Sequence, residues 1–248
     1  MSTSNPAASL IHPTAIIEED VVLGEGCRIG AYAVIKRYTR MGARNQVCEH
    51  AVIGGEPQDL KFKAGTVSGV EIGDDNVLRE HVTIHRGSRP GSVTRIGSGC
   101  MLMVGVHIAH DCSVGDQVVM VNNAGLSGEV SVGERAFISG LTGVHQFCRV
   151  GRNAMIGGLA KVTQDVLPFC ITDGNPARAR GLNLVGLRRA GFKAADIAAL
   201  KDAYRLLYQD VPLAVAIAQM NKSDSAPVKE LAAFLGGVGK RGFAHPRE

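Results

Sequence analysis

Tryptophan is absent from this sequence, and aromatic residues make up only 4% of its 248 positions. A core assembled without large rings has to be narrow and filled by branched aliphatic side chains. No stretch approaches the ~18 consecutive apolar residues that a membrane-spanning helix needs. The opening MSTSNPAASL carries neither a basic cluster nor an apolar run, so no secretory signal is read there. Six cysteines occur without a Cys-x-x-Cys pair or a regular metal spacing, which makes a reducing, cytoplasmic setting the expectation. A net charge of +4 is too small, without a basic stripe, to mark a nucleic-acid-binding protein, although it suits an acidic partner.

What the chain has in abundance is glycine, 31 residues, together with a six-residue rhythm. Ile11, Ile17, Leu23, Ile29, Ile35, Met41, Val47 and Ile53 fall on every sixth position, and a glycine follows at 24, 30, 42 and 54. The rhythm restarts at Ile72, Leu78 and Ile84, and from Ile96 to Val162 it misses no beat. Neither helical periodicity nor strand alternation produces such a run. A hexapeptide repeat of this kind marks a parallel β-helix, in which each hexad forms a short strand and a corner. Glycine at the corners is expected to supply backbone conformations that a Cβ resists. Cys27, Cys100, Cys112 and Cys148 each stand four residues after a core aliphatic, a slot for small buried side chains.

The rhythm breaks twice. Across GEPQDLKFKAGTVSG the phase slips by one, and between Ile84 and Ile96 the beat falls on Pro90 within RGSRPGSVT. Both breaks read as loops leaving the helix, near 55–70 and 86–95, either as tolerated insertions or as carriers of function. After about residue 181 the texture changes. Ile197, Leu200, Tyr204 and Leu207 are spaced as on an amphipathic helix, and SAPVKELAAFLGG, with Pro227 near its start, reads as another. The fold expected is mainly β: a left-handed parallel β-helix over 1–181, then a small α-helical domain over 182–248. The tail KRGFAHPRE reads as polar and mobile.

Three hexads make one triangular coil of eighteen residues, so residues eighteen apart are stacked neighbours, roughly 4.8 Å from one another. His110 therefore stands beside Gly128, and Asp111 beside Glu129. His107 and His110 admit three readings: surface residues, metal ligands together with His145, or a catalytic base. No closed ligand set supports a metal site. In the catalytic reading His110 is a general base, Asp111 or a nearby carbonyl fixes its tautomer, and the Gly128 N–H stabilises an oxyanion. A base and an oxyanion donor without a matching Ser or Cys nucleophile point to direct attack by an acceptor hydroxyl. A prism offers no concave pocket by itself, so a pocket between prisms is the natural site.

IHPTAII at 11–17, PQDLK at 57–61, VTIHRGS at 82–88, HIAHDC at 107–112, VHQFC at 144–148, GNPAR at 174–178 and GLNLVGLRRAGF at 181–192 span almost the whole chain. In these motifs it resembles the UDP-N-acetylglucosamine acyltransferases of lipid A biosynthesis, which take acyl-carrier-protein thioesters as donors. The resemblance implies His110 as the general base toward the sugar 3-hydroxyl, Asp111 as its orienting acid and Gly128 as the oxyanion donor. It implies that Gln58, Asp59 and Lys61 line the acceptor and acyl site, with His85, His107, His145 and Gln146 along the same cleft. Asn183 and Arg189 match positions near the nucleotide end, Arg189 through a phosphate contact, and Gly158 stands where acyl length is set. For Lys61 a solvated loop charge remains open, and for Arg188 and Arg189 a surface pair. No cofactor is implied. A homotrimer with clefts between subunits is, and the positive C-terminal region suits an acidic carrier protein.

Three features depart from the family pattern. Glu129 stands where a histidine is usual and substitutes for it in the cleft, setting a second carboxylate beside Asp111 that favours proton sharing or a raised His110 pKa. The run of coils before Gln58 is one coil short, and Val185 replaces an acid found in some members. These features leave open a paralogue acylating a different UDP-amino sugar on oxygen or nitrogen, or a catalytically silent nucleotide-sugar-binding homologue.

Overall fold

The computed structural model describes residues 9–209, 211–239 and 241–246. The first eight residues, where the absence of a signal was read, lie outside them, as do the first and the last two residues of the tail. From Leu10–Ile11 to Lys161–Val162 the backbone runs as short strands, mostly of two residues, joined by tight corners. They stack into sheets of ten, eight and seven strands, the three faces of a left-handed parallel β-helix. The ten-stranded sheet ends in Cys170–Asp173 and Arg178–Leu182, which pair antiparallel.

Register is one coil. Gly125 lies opposite both His107 and Gly143, and the main chain is bonded from coil to coil, His107 N–H to Ala124 C=O at 3.0 Å and Gly125 N–H to Thr142 C=O at 2.8 Å. The two breaks are insertions into this register. Val77 faces Gln46, an offset of 31, and then Met101, an offset of 24, where other coils keep 18. The second insertion is thus one hexad long, which is why the beat kept its phase through Pro90.

Inside the prism, Ile35, Ile53, Ile84, Ile108 and Leu126 stack in one column at 0–1% exposure. Burial of each such side chain contributes ~1.5–3 kcal/mol. The small slots hold thiols whose S–H groups donate across coils: Cys27 to Gly42 C=O (3.2 Å), Cys100 to Gly115 C=O (3.2 Å) and Cys112 to Ser127 C=O (3.1 Å).

The role expected of the glycines is corrected. At most corners the residue with positive φ stands three after the core aliphatic and is usually not glycine: His50, His81, Asp111, Glu129 and Leu159 have φ of 59–61°. Glycines directly after the aliphatic serve close approach instead. A Cβ on Gly24 would come 2.5 Å from the Gly42 carbonyl carbon, and one on Gly133 would come 2.5 Å from the Arg152 nitrogen.

Four helices follow, α1 (Leu184–Arg189), α2 (Ala194–Leu207), α3 (Leu213–Met220) and α4 (Ala226–Gly236). Ile197, Leu200 and Leu207 of α2 join Met220, Leu231 and Leu235 in a second core, which closes over Leu167 and Phe169 of the last coil. Arg152 grips Glu230 of α4 through Nη2 at 2.7 Å and Nε at 2.9 Å. No helix among the described residues is long and apolar enough to cross a membrane.

The tail expected to be mobile is instead packed over its described part. Phe243 and Ala244 are buried, Ala244 N–H donates to Asp165 C=O at 2.9 Å, and Ala179 N–H donates to His245 C=O at 3.1 Å. Its polar composition masks one apolar pair that inserts beside the last coil. Phe243→Ala is therefore expected to lower the unfolding free energy by ~3 kcal/mol. Urea unfolding checks this, and an unchanged midpoint would mean that the tail carries no load.

Candidate active site

His110 and Asp111 sit at the corner between the eight- and seven-stranded faces, directly after the strand His107–Ile108. The left-handed conformation of Asp111, fixed by its N–H donating to Thr94 Oγ1 at 2.8 Å, turns its carboxylate back along the neighbouring side chain. His110 Nδ1 and Asp111 Oδ2 are then 2.8 Å apart. The carboxylate is acceptor-only when ionised, so Nδ1–H is the donor and Nε2 carries the free lone pair.

One coil on, Gly128 lies under the ring. A Cβ there would fall 2.5 Å from His110 Cε1 and 2.6 Å from Nε2, so the imidazole occupies the space a side chain would need. Gly128 C=O accepts from Phe147 N–H, while among the described residues its own N–H has no main-chain acceptor. The ring thus lies against a glycine whose N–H has no main-chain acceptor among the described residues.

The second loop closes over Asp111. Ser88 donates to Oδ2 twice, from its N–H at 3.1 Å and its hydroxyl at 2.6 Å. Arg89 Nη1 is 3.0 Å from Glu129 Oε1, and its Nη2 is 3.8 Å from Asp111 Oδ1. Burial pushes the Asp111 carboxyl up, but hydrogen bonds from Ser88 and His110, with the Ser92 hydroxyl nearby, outweigh it and hold the group at about 2. His85 and His107 meet edge to face, 4.8 Å between centroids, on the neighbouring strand positions. Burial, with the His107 and His110 rings nearby, presses His85 down to about 4, and burial lowers His107 as well. The His107 Nδ1 bonds Thr83 Oγ1 at 2.8 Å.

Within one chain the other sequence-derived residues stand apart from this group. Gln146 occupies the His110–Gly128 column one coil further on, next to the exposed His145, whose Nδ1 bonds the Gln146 carbonyl at 3.1 Å. Gln58 and Lys61 are exposed in the first loop, where Asp59 Oδ1 accepts the Lys61 N–H at 2.9 Å. Gly158 lies at the opposite edge of the eight-stranded face, with Gly140 C=O and Ser139 Cβ at 3.5 and 3.9 Å from where a Cβ would stand. Asn183 is buried; it caps α1 through Gly186 N–H and donates to Asn153 C=O, both at 3.0 Å. Arg189 is exposed at the end of α1. Among the described residues the side chains that converge as a possible ligand set are Cys48, Glu49 and Glu80, at another corner, rather than the histidines. Sequence reasoning missed Ser88, Arg89 and Thr94. The loop break at Pro90 pointed to the segment but not to its contacts.

The fold and this corner can be set against known proteins. The acyl-[acyl-carrier-protein]–UDP-N-acetylglucosamine O-acyltransferase of Synechocystis sp. is 42% identical over 204 residues, 82% of this chain and 74% of its own. The chain belongs to the UDP-N-acetylglucosamine O-acyltransferase family. A model for domain 2 of these acyltransferases matches residues 165–244, and a bacterial transferase hexapeptide model matches 7–37. Among solved members of the family, the Campylobacter jejuni enzyme superposes with a TM-score of 0.86 at 35% identity, over 96% of this chain and 100% of the other. The Bacteroides fragilis enzyme gives 0.83 at 35%, over 96% and 98%.

Asp111 ties this corner to acid stability. Its folded pKa lies below the ordinary 3.8, so its contribution is complete above the unfolded value and is lost as pH falls toward 2. The stability difference between wild type and Asp111→Asn should therefore shrink as pH drops from about 5 to about 2. Urea unfolding across that range checks it, and a constant difference contradicts it.

Proposed function

We propose that this chain transfers a 3-hydroxyacyl group from an acyl-carrier-protein thioester to the 3-hydroxyl of UDP-N-acetylglucosamine, the first step of lipid A biosynthesis. The observation that carries the mechanism is the His110 ring, tethered to Asp111 through Nδ1 and lying with Nε2 over Gly128. Nε2 takes the proton of the sugar hydroxyl as its oxygen bonds to the thioester carbonyl carbon. The oxyanion meets the Gly128 N–H, and Asp111 favours the imidazolium that forms. As the C–S bond breaks, the imidazolium returns the proton to the leaving thiolate. No acyl-enzyme is required. Cys112, the nearest thiol in sequence, faces the prism interior, where burial pushes it up to about 12.

The remaining roles belong to the same reading. Gln58, Asp59, Lys61, His85, His107, His145 and Gln146 line the acceptor and acyl cleft, and Asn183 and Arg189 serve its nucleotide end. Since the first-loop residues, Gly158, Asn183 and Arg189 stand apart from the His110 corner in one chain, the cleft forms between subunits of a homotrimer. The eight-stranded face supports such an assembly. Gly125 and Gly143 leave open space along it, and Leu141, Phe147 and Leu159 on its edges are 55–69% exposed. The acyl chain runs past Gly158, whose missing side chain leaves the groove long. The reducing cytoplasm, where acyl carrier proteins are charged, is the setting this chemistry needs. The likeness to acyl-carrier-protein-dependent members does not favour a different acceptor sugar or a silent homologue.

Incubating the protein with UDP-N-acetylglucosamine and a panel of acyl-carrier-protein thioesters should yield the 3-O-acylated sugar nucleotide. Sugar-nucleotide binding with no product from any donor would overturn the enzyme reading. His110→Ala should lose ~10³-fold or more in kcat while keeping the fold; full activity would remove His110 from its role. Gly158→Met should shift donor preference to shorter chains, read from kcat/KM across the same panel.

A further inference from the structure

Asp111 and Glu129 hold the same left-handed corner position in successive coils, at φ +60° and +59°. Two carboxylates therefore stand one coil apart at the corner that carries His110. Unbalanced, the second would add negative charge beside the one that orients the ring. The second loop changes the balance. Arg89 Nη1 lies 3.0 Å from Glu129 Oε1 and its Nη2 3.8 Å from Asp111 Oδ1. That Oδ1 is buried and has no hydrogen-bond partner, so the guanidinium faces an oxygen that nothing else satisfies.

Arg89 is also held in place at its backbone. Its N–H donates to Ser92 Oγ at 3.0 Å, and its C=O accepts from Ser92 N–H at 3.0 Å, closing a tight turn. The preceding Ser88 is bonded to Asp111 itself. The one-hexad insertion thus delivers a cation to the corner where two acids meet.

We propose that Arg89 is a positioning residue for the His110 base: shared between Glu129 and Asp111, it offsets the charge of the second carboxylate at the corner where the first one orients the imidazole. The proposal rests on the general-base reading of His110. The charged and titratable groups facing His110 are Asp111, Glu129 and Arg89 at the corner and His85 and His107 on the adjoining face. Both histidines are lowered by burial, so neither supplies a positive charge at neutral pH. Arg89 is therefore the cation that balances Glu129. Its side chain is 61% exposed, so solvent screening limits the effect to about half to one pH unit, less at high salt.

The test follows the ring resonance of His110 by NMR in the full-length protein, identified by its loss in His110→Gln, alongside the acid limb of kcat/KM. Arg89→Ala should raise both midpoints by about half to one pH unit. Arg89→Lys should keep them near wild type. Adding Glu129→Gln to Arg89→Ala should return them, because one net negative charge is again left beside the ring. An unmoved midpoint in Arg89→Ala, or a shift that Glu129→Gln does not reverse, overturns the proposal, since a loop merely displaced would lower activity without this charge rescue. If His110→Gln retains activity, the general-base reading fails instead; if it is inactive and the midpoints do not move, only the role of Arg89 fails.

Discussion

The hydrogen bonding of each coil to the next is the constraint on which the rest of this molecule depends. Once the main chain of one coil must pair with the following one, the six-residue repeat is no longer free. Outside the two insertions each core aliphatic stacks on the one eighteen residues away, and the corners turn at the same place. At most corners the residue three after the aliphatic takes positive φ whatever its identity, so histidine, aspartate, glutamate and leucine all adopt it. Such a conformation costs a non-glycine residue of order 1 kcal/mol, and the pairing on both sides offsets it. A functional side chain placed at such a corner inherits a fixed direction. Asp111 faces His110 for this reason, before any chemistry is considered.

That same constraint explains which parts of the fold and site could be read from the sequence. The unbroken beat from Ile96 to Val162 fixes register, and with register come the apposition of His110 with Gly128 and of Asp111 with Glu129. The thiol slots follow equally, since position within a hexad decides whether a side chain points inward. Where the period fails, so does the inference. The second loop obeys no repeat, and the contacts of Ser88 and Arg89 arise from one particular turn closed by Ser92. From register alone Glu129 is only a second carboxylate beside Asp111, because its counter-ion lies 40 residues away in the chain. Phe243 was lost in a polar tail for a related reason: one buried ring carries no pattern.

The glycines show how a correct pattern can carry a mistaken cause. Their recurrence after the core aliphatic suggested unusual dihedral angles, whereas the coordinates show crowding by the next coil, 2.5 Å from an added Cβ at Gly24. Gly128 carries this logic into the site. The group that fills its missing Cβ is the imidazole ring itself. A packing rule of the fold thereby seats the imidazole directly on the main chain of the next coil.

Hydrogen-bond supply divides the labour within that corner. Asp111 Oδ2 gathers three donors, two from Ser88 and one from His110, and so remains an anion despite being buried. Because Ser88 already satisfies this oxygen, the carboxylate orients the imidazole and stabilises its cation without competing for the proton. His85 and His107, lowered by burial, keep the adjoining surface neutral, and a sugar hydroxyl can approach Nε2 there without meeting a fixed positive charge. In the proposed mechanism the charges lie on the loop side of the ring and the transfer on its open side. Deprotonating a hydroxyl on one flank of His110 would then leave the other flank, bonded to Asp111, holding its tautomer constant.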